Sequence, residues 1–368
     1  MKRPRNVLLS LLALKPDEIA LHATPTDSLN CRSNATHVVW KVPSSSHEQS
    51  TQRRLGSAKE TYQCTVQTRK DAEKTCMDFL RIHVMPFDEA FLETMGFPLD
   101  DDEDIDTDGL ANGLVQQTIS LALDAKIRYK WTDDLPSDTF FNYVLNYANL
   151  NEARTNWRPL LVDALKFNES DLYQNSLDED TQESNLDISS VTTWVNQHLW
   201  TKLARNPEKP IFFKPSQTPL IFDPMSTIAF GYASCTGTSI LFANALRAVG
   251  VPARVVGTPA WYGNRTSGNH NWVEVILPNN NGDWEWKFLE PSPALPDVDT
   301  LDNDPCGRWF CDSSRFPSSK VYAATLSSAD TYFPLVWEWD CRGVPAEDRS
   351  DYYAEICDSC NNDGEEQE

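Results

Sequence analysis

Residues 231–252 read GYASCTGTSILFANALRAVGVP, and this stretch decides how the second half of the chain is expected to fold. Its first four residues have the composition of a tight turn, and the apolar residues that follow Cys235 recur at helical spacing. A glycine and then a proline close the stretch, and these are helix stop signals. The pattern therefore predicts a helix with Cys235 at its N-terminus.

A cysteine in that position is a candidate nucleophile. The unpaired amides and the positive end of the helix dipole stabilise a thiolate, which is the reactive form of the side chain, and the same amides can donate to an oxyanion. A lone cysteine is more often a small buried apolar residue. The residues that follow the helix decide between these two interpretations of Cys235.

Three strands are predicted after this helix. Residues 251–259 are rich in β-branched side chains, residues 271–277 alternate between apolar and polar, and residues 283–290 place aromatic side chains on one face. The turn-forming sequence NNNG at 279–282 joins the last two strands as a hairpin. The order expected for this region is helix, strand, strand, strand.

The hairpin brings a histidine and a carboxylate together. His270 stands at the start of one strand and Glu290 at the end of the next, and these positions are neighbours in an antiparallel pair. Glu290 is then placed to hold the imidazole, and His270 to accept the thiol proton of Cys235 and pass it to a leaving group. The sequence therefore predicts a catalytic triad.

Four stretches of this region resemble the core of the transglutaminase-like superfamily. They are ASCTG at 233–237, RAVGVPARV at 247–255, GNHNWVEV at 268–275 and FLEP at 288–291. The resemblance is tight over residues 225–295. Upstream, residues 147–158 are similar to a bacterial-type subgroup of the same superfamily.

The resemblance implies a papain-like α+β core, formed by a helix and an antiparallel sheet. It implies a triad of Cys, His and Asp, carried here by Cys235, His270 and Glu290. Glu290 departs from the usual Asp by one methylene, which puts the orientation of the imidazole in question. Family members also use an upstream side chain beside the oxyanion, for which Trp200 is a candidate, and Thr236 is a candidate support.

The reaction implied by the resemblance is cysteine-dependent acyl transfer or amide hydrolysis on a protein or peptide substrate, through a thioester and without a cofactor or metal. Transamidation and hydrolysis differ only in whether an amine or water accepts the acyl group, and the sequence does not choose between them. Two alternatives stay open. One is an inactive binding module that keeps the fold, and the other is a cysteine peptidase or glycopeptide amidase on the same core.

The chain divides into four intervals, and the expected fold class is α+β with a mainly helical region before the core. Residues 1–56 are interpreted as a signal and a poorly ordered lead, and residues 57–208 as mainly helical. Residues 209–345 are interpreted as the catalytic core with its extension, and residues 346–368 as an acidic, cysteine-containing tail. Apolar spacing in the helical interval predicts helices over 60–83, 110–129, 140–148, 157–167 and 191–204.

The net charge of the chain disfavours two classes of binding partner. With 54 acidic and 32 basic residues the net charge is −22, which disfavours binding to nucleic acid or to anionic membranes. No run reaches the ~18 apolar residues of a membrane span. A basic and then apolar N-terminal run, cysteines crowded into the last quarter and glycosylation acceptors favour a secreted or secretory-pathway location over a cytoplasmic one. The acceptors are Asn34, Asn168 and Asn264.

Two kinds of motif raise metal chemistry. Asp104–Gly109 matches the opening of a calcium loop but lacks the bidentate Glu at the twelfth position, so a solvated acidic loop is preferred. Cys357 and Cys360 form one C-x-x-C, for which a disulfide or free thiols are favoured over zinc. Cys306 with Cys311, or pairs among the last three cysteines, would close short loops, and the connectivity stays open.

Overall fold

The computed structural model describes residues 24–26, 32–43, 62–98, 113–166, 187–215, 222–279, 282–291, 293, 305–307, 319–327, 329–335 and 342–362. The structural statements below refer to these residues. The N-terminal run Met1–Leu14, the acidic loop Asp104–Gly109 and the acceptor Asn168 lie outside them. Within the described segments, no helix combines the length and the hydropathy needed to cross a membrane.

Helices occupy most of the first half of the described chain, and several begin at a side-chain cap. Asp187 and Asp223 each accept a hydrogen bond from the backbone N–H three residues ahead, which satisfies one free amide of the first turn. The α-helices are α1 (Arg69–Ile82), α2 (Leu92–Met95), α3 (Leu114–Arg128), α4 (Ser137–Tyr143), α5 (Arg158–Ala164), α6 (Ile188–Lys202), α7 (Pro224–Phe230), α8 (Cys235–Ala248) and α9 (Ser350–Asn362).

The strands form three sheets. Strand order is β1-β3-β2 in the first, β4-β5 in the second and β10-β11-β9-β6-β7-β8 in the third, which is antiparallel throughout. The strands are β1 (Thr24–Thr26), β2 (His37–Pro43), β3 (Tyr62–Thr68), β4 (Phe212–Phe213), β5 (Tyr232–Ala233), β6 (Ala253–Thr258), β7 (His270–Pro278), β8 (Trp284–Leu289), β9 (Tyr322–Ala324), β10 (Thr331–Tyr332) and β11 (Pro345–Asp348).

Helix α8 is the centre of the core, and the prediction that it begins at Cys235 is confirmed. Its residues from 236 to 248 are buried, as expected for a helix that is apolar on most of its surface. Gly250 follows with φ +79°, a left-handed conformation that favours glycine at the end of a helix. The α8 helix packs on β6 and β7, so the predicted α+β class is confirmed.

Helices cover both faces of the six-stranded sheet. Val273 and Val275 of β7 face α8, whereas Trp272 between them packs with Tyr353 of α9 on the opposite face. Tyr353 is fully buried, and β11 pairs with β9 inside the sheet. Residues 346–362 of the interval interpreted as an acidic, cysteine-containing tail complete the sheet through β11 and cover it through α9.

The N-terminal part contains more strand than expected. Residues 60–83 were expected to form one helix, but β3 occupies the first part and α1 begins only at Arg69. Its partner β2 lies in the interval interpreted as a poorly ordered lead, and Trp40 of β2 is fully buried and donates to Gln67 at 2.7 Å. The β-branched pair Thr65 and Val66 favours a strand once β2 supplies the pairing.

The C-terminal helix is held by a disulfide. Cys306, in the 3₁₀ turn Pro305–Gly307, is bonded to Cys360 of α9, a sequence separation of 54, rather than to Cys311. Cys357 is also disulfide-bonded, so neither sulfur of the C-x-x-C motif is available to zinc. The free cysteines of the described segments are Cys76 and Cys235.

Candidate active site

Cys235 is held beside the start of β7. It is the first residue of α8, and its side chain is partly exposed. Thr236 next to it is buried and donates from Oγ1 to Asn271 Oδ1 at 2.7 Å, which ties the first turn of α8 to β7. The backbone N–H of Asn271 in turn donates to the sulfur of Cys235. These contacts fix the nucleophile candidate between a helix N-terminus and a strand.

His270 and Glu290 lie together at the same end of the sheet. His270 is the first residue of β7, pairs with Thr258 of β6 and is 7% exposed. Glu290 follows the last residue of β8, where the ladder ends at the pair between Val273 and Leu289. The distance from His270 Nε2 to Glu290 Oε2 is 3.2 Å, so the longer Glu side chain reaches the imidazole.

The ionisation of Cys235 and His270 is coupled. Burial opposes the thiolate and is the largest influence on Cys235, but the hydrogen bond and charge of His270 outweigh it and lower the pKa of the thiol. Burial likewise opposes the imidazolium, but the charge of Glu290 and the hydrogen bonds to Cys235 and Glu290 raise the pKa of His270 to about 10. Each side chain therefore stabilises the charged form of the other, the thiolate of Cys235 and the imidazolium of His270.

This arrangement contains the parts that a thiol acyl transfer requires. Since Nε2 of His270 faces Glu290, Nδ1 is the ring nitrogen available to the thiol, and the carboxylate fixes the ring between them. The free N–H groups at the start of α8 supply donors for an oxyanion. The structure thus brings Cys235, His270 and Glu290 into one hydrogen-bonded row.

A model of the transglutaminase-like superfamily matches residues 173–291, which is under half of the chain. These residues are similar to the core of the transglutaminase-like superfamily. The match contains Cys235 and His270 and ends one residue after Glu290. The matched segment therefore includes the hydrogen-bonded row described above.

Comparison with solved structures adds little to the family match. The crystal structure of red sea bream transglutaminase is similar to this chain at 15% sequence identity with a TM-score of 0.27. The alignment covers 42% of this chain and 32% of that one, so this chain spans about a third of that protein. No curated protein matches the chain.

Trp200 lies within the matched segment and packs on α8. It is 2% exposed, and its ring centroid is 6.1 Å from that of Phe242, two helical turns along α8 from Cys235. Among the described residues its indole N–H has no hydrogen-bond partner. The predicted role of Trp200 beside the oxyanion stays a prediction. The contact observed for Trp200 is with the middle of α8.

A hydrogen-bonded brace supports the other side of the imidazole. The ring of His270 lies 5.8 Å from that of Trp272, and the indole N–H of Trp272 donates to the Tyr353 hydroxyl at 2.8 Å. That hydroxyl donates to Glu274 at 2.8 Å. The α9 helix therefore determines where the indole next to His270 can lie.

Two contributors to the site were not predicted, Asn271 and Tyr353. Asn271 had a usable signal, because an asparagine is unusual inside an apolar strand. Tyr353 had none, since only the fold places it under β7. Thr236 and Asn271 also line a small, open recess. Its other lining residues are Leu150, Thr258, Pro259, Phe333, Pro334 and Leu335.

Proposed function

We propose that the protein is a cysteine-dependent acyltransferase or amidohydrolase that acts on amides of proteins or peptides. The observation that carries the proposal is the hydrogen-bonded row of Cys235, His270 and Glu290, in which the thiol pKa is lowered beside an imidazolium. A lowered thiol pKa next to a proton donor is what acyl transfer through sulfur needs.

In the proposed reaction the thiolate of Cys235 attacks the amide carbonyl, and a carbon–sulfur bond forms. The oxyanion accepts hydrogen bonds from amides at the start of α8. The carbon–nitrogen bond then breaks, and the leaving amine takes the proton of His270. An amine or water attacks the resulting thioester, gives its proton to His270 and releases Cys235 as the thiolate.

Two other functions use the same residues. A peptidase or glycopeptide amidase differs in the amide attacked, and an inactive binding module differs in having no turnover at all. The partly exposed thiol and the raised pKa of His270, to about 10, favour an active enzyme over the module, because neither is needed to bind a ligand. We propose no metal or cofactor for any of these steps.

The decisive experiment is alkylation of the native protein with iodoacetamide at pH 6, followed by peptide mass mapping. Cys235 is expected to react at least tenfold faster than a free model thiol, because its thiolate is stabilised. Cys235→Ser removes the fast phase. Cys76→Ser, which changes a fully buried free cysteine, is the control and leaves the fast phase intact. Alkylation of Cys235 no faster than the model thiol rejects the proposal.

A second experiment assigns the acceptor. The protein is incubated with a glutamine-containing peptide and a labelled primary amine. Incorporation of the amine indicates transamidation, whereas ammonia or cleaved peptide without incorporation indicates hydrolysis. Fast alkylation of Cys235 with no product from a broad panel of glutamine, peptide and glycopeptide substrates favours the inactive module.

A further inference from the structure

Exposed aromatic side chains are concentrated next to the nucleophile candidate. Phe212 and Phe213 of β4 are 46% and 45% exposed, Phe230 at the end of α7 is 53% exposed, and Tyr232 of β5 is partly exposed. We call these four residues the aromatic strip. Large apolar groups left in solvent as a group, rather than singly, mark surfaces that bind something.

Three rings of the aromatic strip, those of Phe212, Tyr232 and Phe230, are contiguous. The ring centroid of Tyr232 is 5.7 Å from that of Phe212 and 6.1 Å from that of Phe230. Strand β4 runs parallel to β5, with Phe213 paired to Ala233, and β5 leads through Ser234 to Cys235. The strip therefore includes Tyr232, which lies three residues before Cys235 in the chain.

The margins of the aromatic strip are positively charged. Lys214 Nζ lies 4.4 Å from the ring centroid of Tyr232, and Arg205 donates from Nη1 to the carbonyl of Ala229, next to Phe230. Residues 201–235 contain four basic and two acidic residues, and one of the acids, Asp223, is a buried helix cap. This local excess of positive charge stands out in a chain with a net charge of −22.

We propose that the aromatic strip binds the acyl-donor polypeptide, and that it selects segments with apolar side chains and carboxylates close to the reacting amide. The proposal rests on the proposed function, because it assigns the substrate of the same thiol. Aromatic faces supply apolar contact area for a peptide, and the cations at the margin attract carboxylates.

Other occupants fit these observations less well. An anionic membrane would meet the strip's few cations but be repelled by the remainder of a strongly acidic protein. A neutral glycan would gain nothing from Lys214 and Arg205. A polypeptide with mixed apolar and acidic side chains uses both features, and it can place an amide at Cys235 while lying along the strip.

The test measures peptide binding separately from chemistry. Cys235→Ala full-length protein is titrated with three fluorescent glutamine peptides, one with Phe, Leu and Glu around the glutamine, one with the Glu residues replaced by Lys, and one with the apolar residues replaced by Ser. The first is expected to bind about tenfold tighter than the peptide with Ser, since burying one aromatic ring contributes about that much. It is also expected to bind about tenfold tighter than the peptide with Lys, because the cations at the margin of the strip repel lysine side chains. Equal binding of the three overturns the proposal.

Substitutions in the aromatic strip locate the binding. Phe212→Ser combined with Phe230→Ser is expected to weaken binding of the first peptide at least tenfold. Phe91→Ser, which changes a 57% exposed aromatic side chain outside the strip, is the matched control and leaves binding unchanged. Lys214→Glu is expected to shift preference from the acidic to the basic peptide. Unchanged affinity in the double variant overturns the proposal.

Two further measurements keep the outcomes distinct. Iodoacetamide labelling of Cys235 in the double variant, with the thiol present, is expected to match wild type, which shows that the core is intact and only the surface has changed. Slow labelling of Cys235 in the wild-type protein itself contradicts the proposed function and not the proposed binding by the aromatic strip. A dimer of the wild-type protein that Phe230→Ser converts to a monomer, in sedimentation, overturns the proposal in favour of a second copy as occupant.

Discussion

Glu274 and Glu290 belong to the same hairpin, and each is paired with a cationic side chain, yet their surroundings differ. Glu274 of β7 is fully buried and accepts from Arg254 Nε at 2.8 Å and from Arg349 Nε at 3.2 Å. Glu290, just after β8, has a side chain that is 21% exposed and meets His270 at 3.2 Å. One carboxylate is enclosed in the sheet and the other stands at its edge.

The difference shows what separates a structural ion pair from a reactive one. A guanidinium keeps its proton throughout the range in which proteins are folded, so the charges around Glu274 are permanent. An imidazole gains and loses a proton, so the pair at Glu290 can take part in chemistry. Burial separates the two pairs in the same way. An enclosed ion pair stabilises the fold only while both partners are present, whereas a pair at the edge of the sheet is open to a substrate.

The largest expected effect is on stability, from Glu274→Gln. Removing the charge leaves Arg254, which is fully buried, without its one fully buried carboxylate partner among the described residues, and breaking a buried pair costs about 3–5 kcal/mol. Urea unfolding followed by tryptophan fluorescence measures the loss. Glu285→Gln is the control in the same hairpin, since Glu285 pairs with Lys287 at 2.6 Å but both side chains are about 40% exposed.

Exposed pairs contribute about 0–1 kcal/mol, so the control is expected to change the free energy of unfolding little. If the two variants lose the same free energy of unfolding, burial does not distinguish a buried ion pair from an exposed one. The comparison between Glu274 and Glu290, which is based on burial, is then wrong.

The next largest effect is on activity, from Glu290→Gln. Turnover is expected to fall about 10²-fold, because the imidazole loses its orienting carboxylate, while stability falls less than in Glu274→Gln. In wild type, activity is expected to decline as pH rises through about 10, where His270 loses the proton that it gives to the leaving amine. Glu290 raises that pKa, so the alkaline limb of the variant moves to lower pH.

Glu290→Asp sharpens this test, since it restores the charge on a side chain one methylene shorter. Glu290→Asp is expected to recover part of the lost turnover, and its alkaline limb is expected to lie between those of wild type and Glu290→Gln. The reason is that the charge is present but at a longer distance from the imidazole. An unshifted alkaline limb in Glu290→Gln, measured over pH 6–11, would show that His270 does not depend on this carboxylate.

The proximity of His270 and Glu290 was predictable from the sequence, and the buried pairing of Glu274 was not. The helix at Cys235 followed from local apolar spacing and stop signals, and the hairpin followed from alternation around a turn, so His270 and Glu290 were expected at one edge of a sheet. Glu274 alternates with valines in a strand, a pattern that is typical of a residue facing solvent.

Only the arrival of α9, more than 70 residues later in the chain, shows that the face carrying Glu274 is covered. The same limit explains the N-terminal difference, where β3 was expected to be helical. Tyr62 and Val66 are four residues apart, which suits a helix. The partner strand β2 that overrides this spacing is the short apolar run VVWKV at 38–42, which stands within a stretch otherwise rich in Ser, Thr and Asn.

The smallest expected effect comes from Tyr353→Phe, because Tyr353 links the surroundings of Glu274 to those of His270. The Tyr353 hydroxyl accepts from Trp272, beside His270, and donates to Glu274. Its loss leaves a buried indole N–H without this partner, at a cost of about 1–2 kcal/mol in unfolding free energy. Tyr352→Phe is the control, because that hydroxyl donates to the Trp286 carbonyl outside the brace.

If the brace also positions His270, Tyr353→Phe slows iodoacetamide labelling of Cys235 at pH 6 by a few-fold, and Tyr352→Phe does not. A loss of stability with unchanged labelling would confine the brace to the structural side of the sheet. The two glutamates would then act independently, because the indole between them would transmit no constraint from α9 to the imidazole.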